Sequence, residues 1–199
     1  MTMKIGSLFA GLVFSLTLAA LPATAHELQY KAVLDGPSEA PPNTSPGFGT
    51  ALITFDLDLV TMRVQASFSD LLGTTTASHI HCCTAAAGTG TAGVATQTPT
   101  FIDFPLGVTS GTYDHTFDMT LASSYNPAFV TAHTDVSGSL SALLAGIADG
   151  DAYVNIHSTF APGGEIRGFL APVPEPATYA LMFAGLAVVA IVAKRRRPG

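Results

Sequence analysis

The chain has 199 residues, of which 48% are hydrophobic, and its formal net charge at pH 7 is −6. Once the apolar segments at the two ends are set aside, three Lys or Arg remain against thirteen Asp or Glu, a net charge of −10. A domain this acidic excludes nucleic acid as a partner, because neutralising phosphates takes clustered cations.

Residues 1–25 predict a secretory signal peptide. Lys4 is a positively charged n-region, residues 5–21 are apolar, and Ala23 and Ala25 form a small-x-small cleavage site. Cleavage after Ala25 leaves a mature domain at residues 26–172, which is long enough to bury one good core.

The mature domain shows the hydrophobic period of two that is typical of β-strands. Leu28, Tyr30 and Ala32, for example, alternate with polar residues. Many short strands, separated by Gly and Pro, predict an all-β fold: an antiparallel, Greek-key-like β-sandwich with one or two short helices. The predicted strands are 28–34, 48–55, 60–68, 76–81, 113–121, 152–158 and 165–170.

Two short helices and one long loop interrupt this pattern. Asn126, followed by Pro127, predicts an N-cap and a helix that ends at about Thr131. Residues 137–145 have leucines at helical spacing, and Gly146 is expected to stop this second helix. Residues 84–100 are rich in Thr, Ala and Gly, which predicts a long surface loop.

The C-terminal segment 173–199 has three parts in a fixed order. An uncharged apolar run at 177–193 predicts a single transmembrane helix with its basic end in the cytoplasm. The polar elements on either side of the run are Pro174, Glu175 and Pro176, then Lys194, Arg195, Arg196 and Arg197. Together they resemble the PEP-CTERM sorting tail of Gram-negative bacteria that make exopolysaccharide; the alternative is an ordinary membrane anchor.

This resemblance implies an address and a set of partners. The protein would cross the inner membrane to the periplasm and be held in the membrane by the C-terminal helix. An exosortase-type enzyme would then process the tail, and the protein would reach the cell surface or the extracellular matrix. Exopolysaccharide and matrix proteins are the partners that this setting suggests.

Four further segments resemble the CHRD domain, a module first described in chordin and common in exported bacterial proteins. The segments are 36–42 (GPSEAPP), 78–81 (SHIH), 153–157 (YVNIH) and 163–168 (GGEIRG). The resemblance extends from about Leu28 to Leu170, and it implies a β-sandwich-like fold with no established catalytic activity. The chain departs from the common pattern after His81, where Gly usually follows and Cys82 stands here.

Three histidines form a candidate metal site. Residues two apart in a strand share a face, so His79 and His81 point the same way, as do Asn155 and His157. If their strands are neighbours, the three imidazoles make a workable ligand set for copper or zinc. The alternative is a structural hydrogen-bond network that orients loops.

Arg167 is one of only three cations in the mature domain, so we expect it to have a carboxylate partner. Glu165 is its neighbour on the same strand face, and Glu39 is the long-range candidate. We expect a structural ion pair in which Arg167 holds the first loop to the last strand through Glu39.

Cys82 and Cys83 are the only cysteines, so an intramolecular disulfide between them must be vicinal. Free thiols, an intermolecular bridge, or thiolate ligands added to His79 and His81 are the alternatives.

Together these features predict a surface-sorted, non-enzymatic structural or binding module of the cell envelope or extracellular matrix that needs no cofactor. The alternative is a metal-binding protein with a redox or metal-handling role, centred on the three histidines. Carbohydrate binding is a third class, which the absence of Trp and the presence of only five Tyr disfavour.

Overall fold

The computed structural model describes residues 26–174, together with 185, 186 and 189. The predicted signal peptide with Ala23 and Ala25, and the sorting residues Glu175, Pro176 and 194–197, lie outside the described residues, as does most of the predicted span at 177–193. Within the described part, no helix is long and apolar enough to cross a membrane.

Eight strands, two α-helices and one 3-10 turn make up the described domain. The strands are β1 (Glu27–Asp35), β2 (Phe48–Asp56), β3 (Thr61–Ser69), β4 (Thr75–His81), β5 (Gly111–Asp118), β6 (Tyr153–Ser158), β7 (Ile166–Phe169) and β8 (Ala171–Pro172). The helices are α1 (Pro127–Ala132) and α2 (Val136–Ala148), and the 3-10 turn is Ala122–Ser124.

All the strands belong to one curled antiparallel sheet with the order β4-β6-β7-β1-β2-β3-β5, and β8 pairs with β1. The alternation in the sequence explains why these strands form, because it gives each strand one apolar face. Leu34, Ile53 and Val64 lie on this face and pack in the core, where they are at most 1% exposed. The predicted all-β antiparallel class with short helices is therefore confirmed, and its strands are joined edge to edge in a single sheet.

The strand order brings together segments that are far apart in the sequence. β4 follows β3 along the chain, yet it lies at the opposite edge of the sheet, beside β6. In the ladders His79 lies opposite Asn155, which in turn lies opposite Arg167 on β7. The histidine pair of β4 and the polar residues of β6 and β7 are therefore neighbours.

The N-cap prediction for α1 is confirmed, because the Asn126 side chain accepts a hydrogen bond from the amide of Ala128 at 3.0 Å. The prediction that Gly146 stops the second helix is wrong. α2 continues to Ala148, and the chain turns only at Gly150, where φ is +77°. Gly146 is buried and faces the sulfurs of Cys82 and Cys83, so it is small because of packing and does not end the helix.

The loop at 84–100 has no long regular element, as predicted, but it is only partly a surface loop. Ala95 and Thr96 are fully buried. The loop runs along the free edge of β4: the Ala95 amide donates to the Ile80 carbonyl at 2.9 Å, and the Ile80 amide donates to the Thr96 hydroxyl at 2.9 Å. The loop therefore covers an edge that would otherwise expose unpaired backbone groups.

Candidate functional site

Three imidazoles meet on one face of the β4–β6 pair. His79 and His81 lie on the strand face opposite Ile80, and all three side chains are buried. His157 comes from β6, two residues after Asn155 and opposite Ala77. One ligand atom from each histidine lies within 4.8 Å of those of the other two. The structure thus brings together the three residues that the sequence proposed as metal ligands.

Each imidazole is held by one backbone carbonyl. His79 Nε2 lies 2.6 Å from the Pro99 oxygen. His81 Nδ1 lies 2.9 Å from the Ala92 oxygen, and His157 Nδ1 lies 2.8 Å from the Pro162 oxygen. Because a carbonyl only accepts hydrogen bonds, these three nitrogens carry the protons.

The opposite nitrogens then carry lone pairs. They are His79 Nδ1, His81 Nε2 and His157 Nε2, and each is buried without a hydrogen-bond partner among the described residues. Imidazoles fixed by a carbonyl on one nitrogen and bare on the other are arranged as metal ligands usually are.

The electrostatics of the cluster keep the rings neutral. Burial lowers the pKa of His79 and of His157, and it lowers the pKa of His81 to about 4. Neutral imidazole is the form that binds metal. Two nitrogens at about 2.1 Å from one ion are at most about 4.2 Å apart, so ligand atoms as far apart as 4.8 Å would move closer together to share an ion.

The cysteines lie on another side of the site. Cys82 and Cys83 form a vicinal disulfide, and the Cys83 sulfur is 3.8 Å from the Ala142 carbonyl of α2. The candidate ligand group among the described residues contains the three histidines and no cysteine. This geometry gives the sulfurs a place beneath α2 and separates them from the ligand set.

Arg167 is 4% exposed and ties several segments together. Its Nε donates to the Ser38 carbonyl and lies 3.9 Å from Glu39 Oε2, and its Nη1 donates to the Gly90 carbonyl at 2.9 Å. The guanidinium also lies 4.7 Å from the ring centre of Tyr153. The arrangement fits the expected long-range pair with Glu39. Burial raises the pKa of Glu39 to about 7, although the Arg167 charge opposes that rise.

Glu165, the other expected partner of Arg167, belongs to a separate network. Its fully buried carboxylate accepts hydrogen bonds from the hydroxyls of Ser45 and Ser158 and from the amides of Leu72 and Gly73. Burial raises the pKa of Glu165, but these hydrogen bonds outweigh it and hold the pKa below its ordinary value. Glu165 therefore fastens loops to the end of β6.

Sequence reasoning placed Asn155 beside His157, but it missed the partner of Asn155 and the roles of Tyr153 and Gly164. The Tyr153 ring stacks on His81 with 4.8 Å between centres, and the Asn155 amide nitrogen donates to Glu39 at 2.8 Å. Gly164, at φ +136°, leaves room for the side chains of Asn155 and Glu39, because a Cβ there would collide with both. The paired glycines at 163–164 were the only sequence signal for this close approach.

Comparisons with known proteins agree with the resemblances seen in the sequence. A model of the CHRD domain matches residues 30–170, and a model of the PEP-CTERM protein-sorting motif matches residues 172–197. Neither a curated protein nor a solved structure matches the chain. Of the sorting residues, the structure describes Pro174, which is exposed.

Proposed function

The chain belongs to the CHRD domain family and carries a PEP-CTERM sorting motif, and from this premise we propose that it is a surface module that holds copper or zinc. The motif marks the protein for export, for processing by an exosortase-type enzyme and for sorting to the cell surface. We propose a binding role without catalysis, in the cell envelope or the extracellular matrix, where exopolysaccharide and matrix proteins are the expected neighbours.

The observation that carries this proposal is the state of the three imidazoles. His79, His81 and His157 each use one nitrogen on a backbone carbonyl and leave the other buried and unpartnered. A buried polar atom without a partner costs about 1–3 kcal/mol, and a shared metal ion would satisfy all three at once. Imidazole suits copper and zinc, and three protein ligands leave one position open.

A second candidate, a purely structural network, has its own supporting observation. The three carbonyls that hold the rings belong to Pro99, Ala92 and Pro162, which all lie in loops. The histidines could therefore act as braces for these loops with no metal bound. The two candidates differ in what removal of one imidazole would do.

The test is metal analysis of the full-length protein purified without chelator, and of the same protein after chelation and reloading with Cu²⁺ or Zn²⁺. We expect about one ion per chain in the wild type. We also expect loss of the ion in His79→Ala and retention in His115→Ala, a histidine of β5 outside the cluster. Added metal should raise the thermal midpoint of the wild type and leave that of His79→Ala unchanged.

Two results would count against the metal site. One is a wild-type protein that takes up no ion on reloading. The other is a His79→Ala protein that keeps its ion. If His79→Ala lowers the midpoint equally with and without chelator, and no ion is found, the histidines act as loop braces.

A further inference from the structure

Four buried side-chain polar atoms in the described part of the chain have no hydrogen-bond partner. Three are the free nitrogens of the histidine cluster, and the fourth is the Oδ1 of Asn155. Asn155 is 2% exposed, so its side chain is shielded from bulk water. A buried amide oxygen without a hydrogen-bond donor destabilises the fold, so its presence here needs an explanation.

The position of Asn155 links this fourth atom to the other three. Asn155 lies directly opposite His79 in the β4–β6 ladder and two residues before His157 on the same strand. Side chains directly opposite each other have Cβ atoms about 4.5–5.5 Å apart, and residues two apart share a face. The amide of Asn155 is therefore within reach of the space between the free imidazole nitrogens.

A chain of contacts fixes which end of the amide faces away from Glu39. Asn155 Nδ2 donates to Glu39 Oε1 at 2.8 Å, and Glu39 is held near Arg167. Glu39 Oε1 accepts in this contact, so it faces the NH₂ end of the amide. The Asn155 oxygen is thereby turned from Glu39, and it remains an acceptor that needs a donor.

We propose that Asn155 selects the ligand that completes the metal centre, favouring one that donates a hydrogen bond, such as water, over an anion that carries no proton. The inference rests on the metal site proposed above. Three neutral imidazoles leave an ion with an open position. A protic ligand there can donate to Asn155 Oδ1, whereas an aprotic anion would set its lone pairs against those of the amide oxygen.

The test is a titration of the full-length, Cu²⁺-loaded protein with sodium azide, followed by the azide-to-copper absorption band. Asn155→Leu removes the acceptor, and we expect azide to bind at least about fivefold more tightly, which corresponds to one hydrogen bond. Asn155→Asp keeps an acceptor and adds negative charge, so azide should bind more weakly than to the wild type.

Glu39→Gln keeps Asn155 itself and tests the orientation. A Gln side chain can also donate, so the Asn155 amide is free to turn its NH₂ toward the metal, and azide should again bind more tightly. Gln65→Leu removes an amide from the face of β3 opposite the core and should leave azide affinity unchanged. If Asn155→Leu does not fold, Asn155→Asp and Glu39→Gln still decide the question.

The outcomes separate the two proposals. If the wild type takes up neither copper nor zinc on reloading, both are overturned. If it binds copper and every variant binds azide within twofold of the wild type, the metal site stands and the role of Asn155 is overturned.

Discussion

Arg167 Nε lies 3.9 Å from Glu39 Oε2, and both side chains are about 95% buried. The other Arg–carboxylate pair of the described domain, Arg63 with Asp114, is closer at 2.6 Å, but half of each side chain is exposed. Distance alone would rank the second pair as stronger. Burial reverses the ranking, because removing one partner of a buried pair leaves a charge with neither water nor counterion.

We therefore expect Arg167→Ala to lower the free energy of unfolding by about 3–5 kcal/mol, and Arg63→Ala to lower it much less. The Arg167→Ala variant also loses the hydrogen bonds to the Ser38 and Gly90 carbonyls, which adds to the loss of stability. Urea unfolding of both variants measures the difference. Equal losses for the two would show that Arg167 does not hold the loops.

Glu39 gives the stability a pH dependence of a definite sign. Its pKa is raised to about 7 in the folded protein, so the folded state holds a proton that the unfolded state has lost. The stabilisation of the fold by this bound proton is complete below the pKa of Glu39 in the unfolded chain, and it is lost as pH rises through the pKa in the folded protein. As pH rises from 4.5 to 7.5, the free energy of unfolding of the wild type should fall by up to roughly 3 kcal/mol relative to that of Glu39→Gln.

The measurement is chelator-treated urea unfolding at a series of pH values, with the variant subtracted so that other titrating groups cancel. Glu27→Gln, an exposed carboxylate at the start of β1, serves as the control. A wild-type minus Glu39→Gln difference that stays flat with pH, or rises, would contradict the assignment.

Glu165→Gln should destabilise the protein by about 3 kcal/mol, because a carboxylate whose two oxygens each accept two hydrogen bonds is replaced by an amide that satisfies only some of them. Ser45→Ala removes one donor and should cost clearly less. Thermal and urea unfolding of the two variants compare these effects. If Ser45→Ala costs as much as Glu165→Gln, the carboxylate does not anchor the loops.

Gly146→Ala should also destabilise the fold, although alanine favours helices. An added Cβ would collide with the sulfurs of Cys82 and Cys83, and overpacking costs about 1–3 kcal/mol. Gly93→Ala, where a Cβ meets no atom within 4 Å, is the matched control and should stay close to the wild type. A Gly146→Ala protein as stable as that control would place the disulfide elsewhere.

The strands could be predicted from the sequence because their signal is local. Alternation such as that of Tyr30, Ala32 and Leu34 follows from one buried face. The structure keeps it in β2, in β3 and in β1 from Tyr30 onward, whereas Leu28 at the start of β1 is exposed. His79 and His81 were placed on one face by the same rule. Their meeting with His157 depended on the strand order, which no local pattern in the sequence contained.

The contacts of the site were harder to predict because they connect residues far apart in the chain. Glu39 and Asn155 are 116 residues apart, and Ser45 and Glu165 are 120 apart. At Gly146, by contrast, the local sequence led to a definite prediction that was wrong. Its local context was that of a helix stop, and only the sulfurs packed against it explain why a small residue lies inside α2.

The short strand β8 fixes the point at which the chain leaves the sheet. It pairs with Tyr30 and Lys31, and the Val173 amide donates to the Gln29 carbonyl, so the chain enters its sorting motif beside the start of β1. The row that contains Arg167, Asn155 and His79 begins at Asp35, six residues and about 20 Å further along that strand. The histidine cluster therefore lies along the sheet away from the point at which the chain leaves the domain for its C-terminal motif.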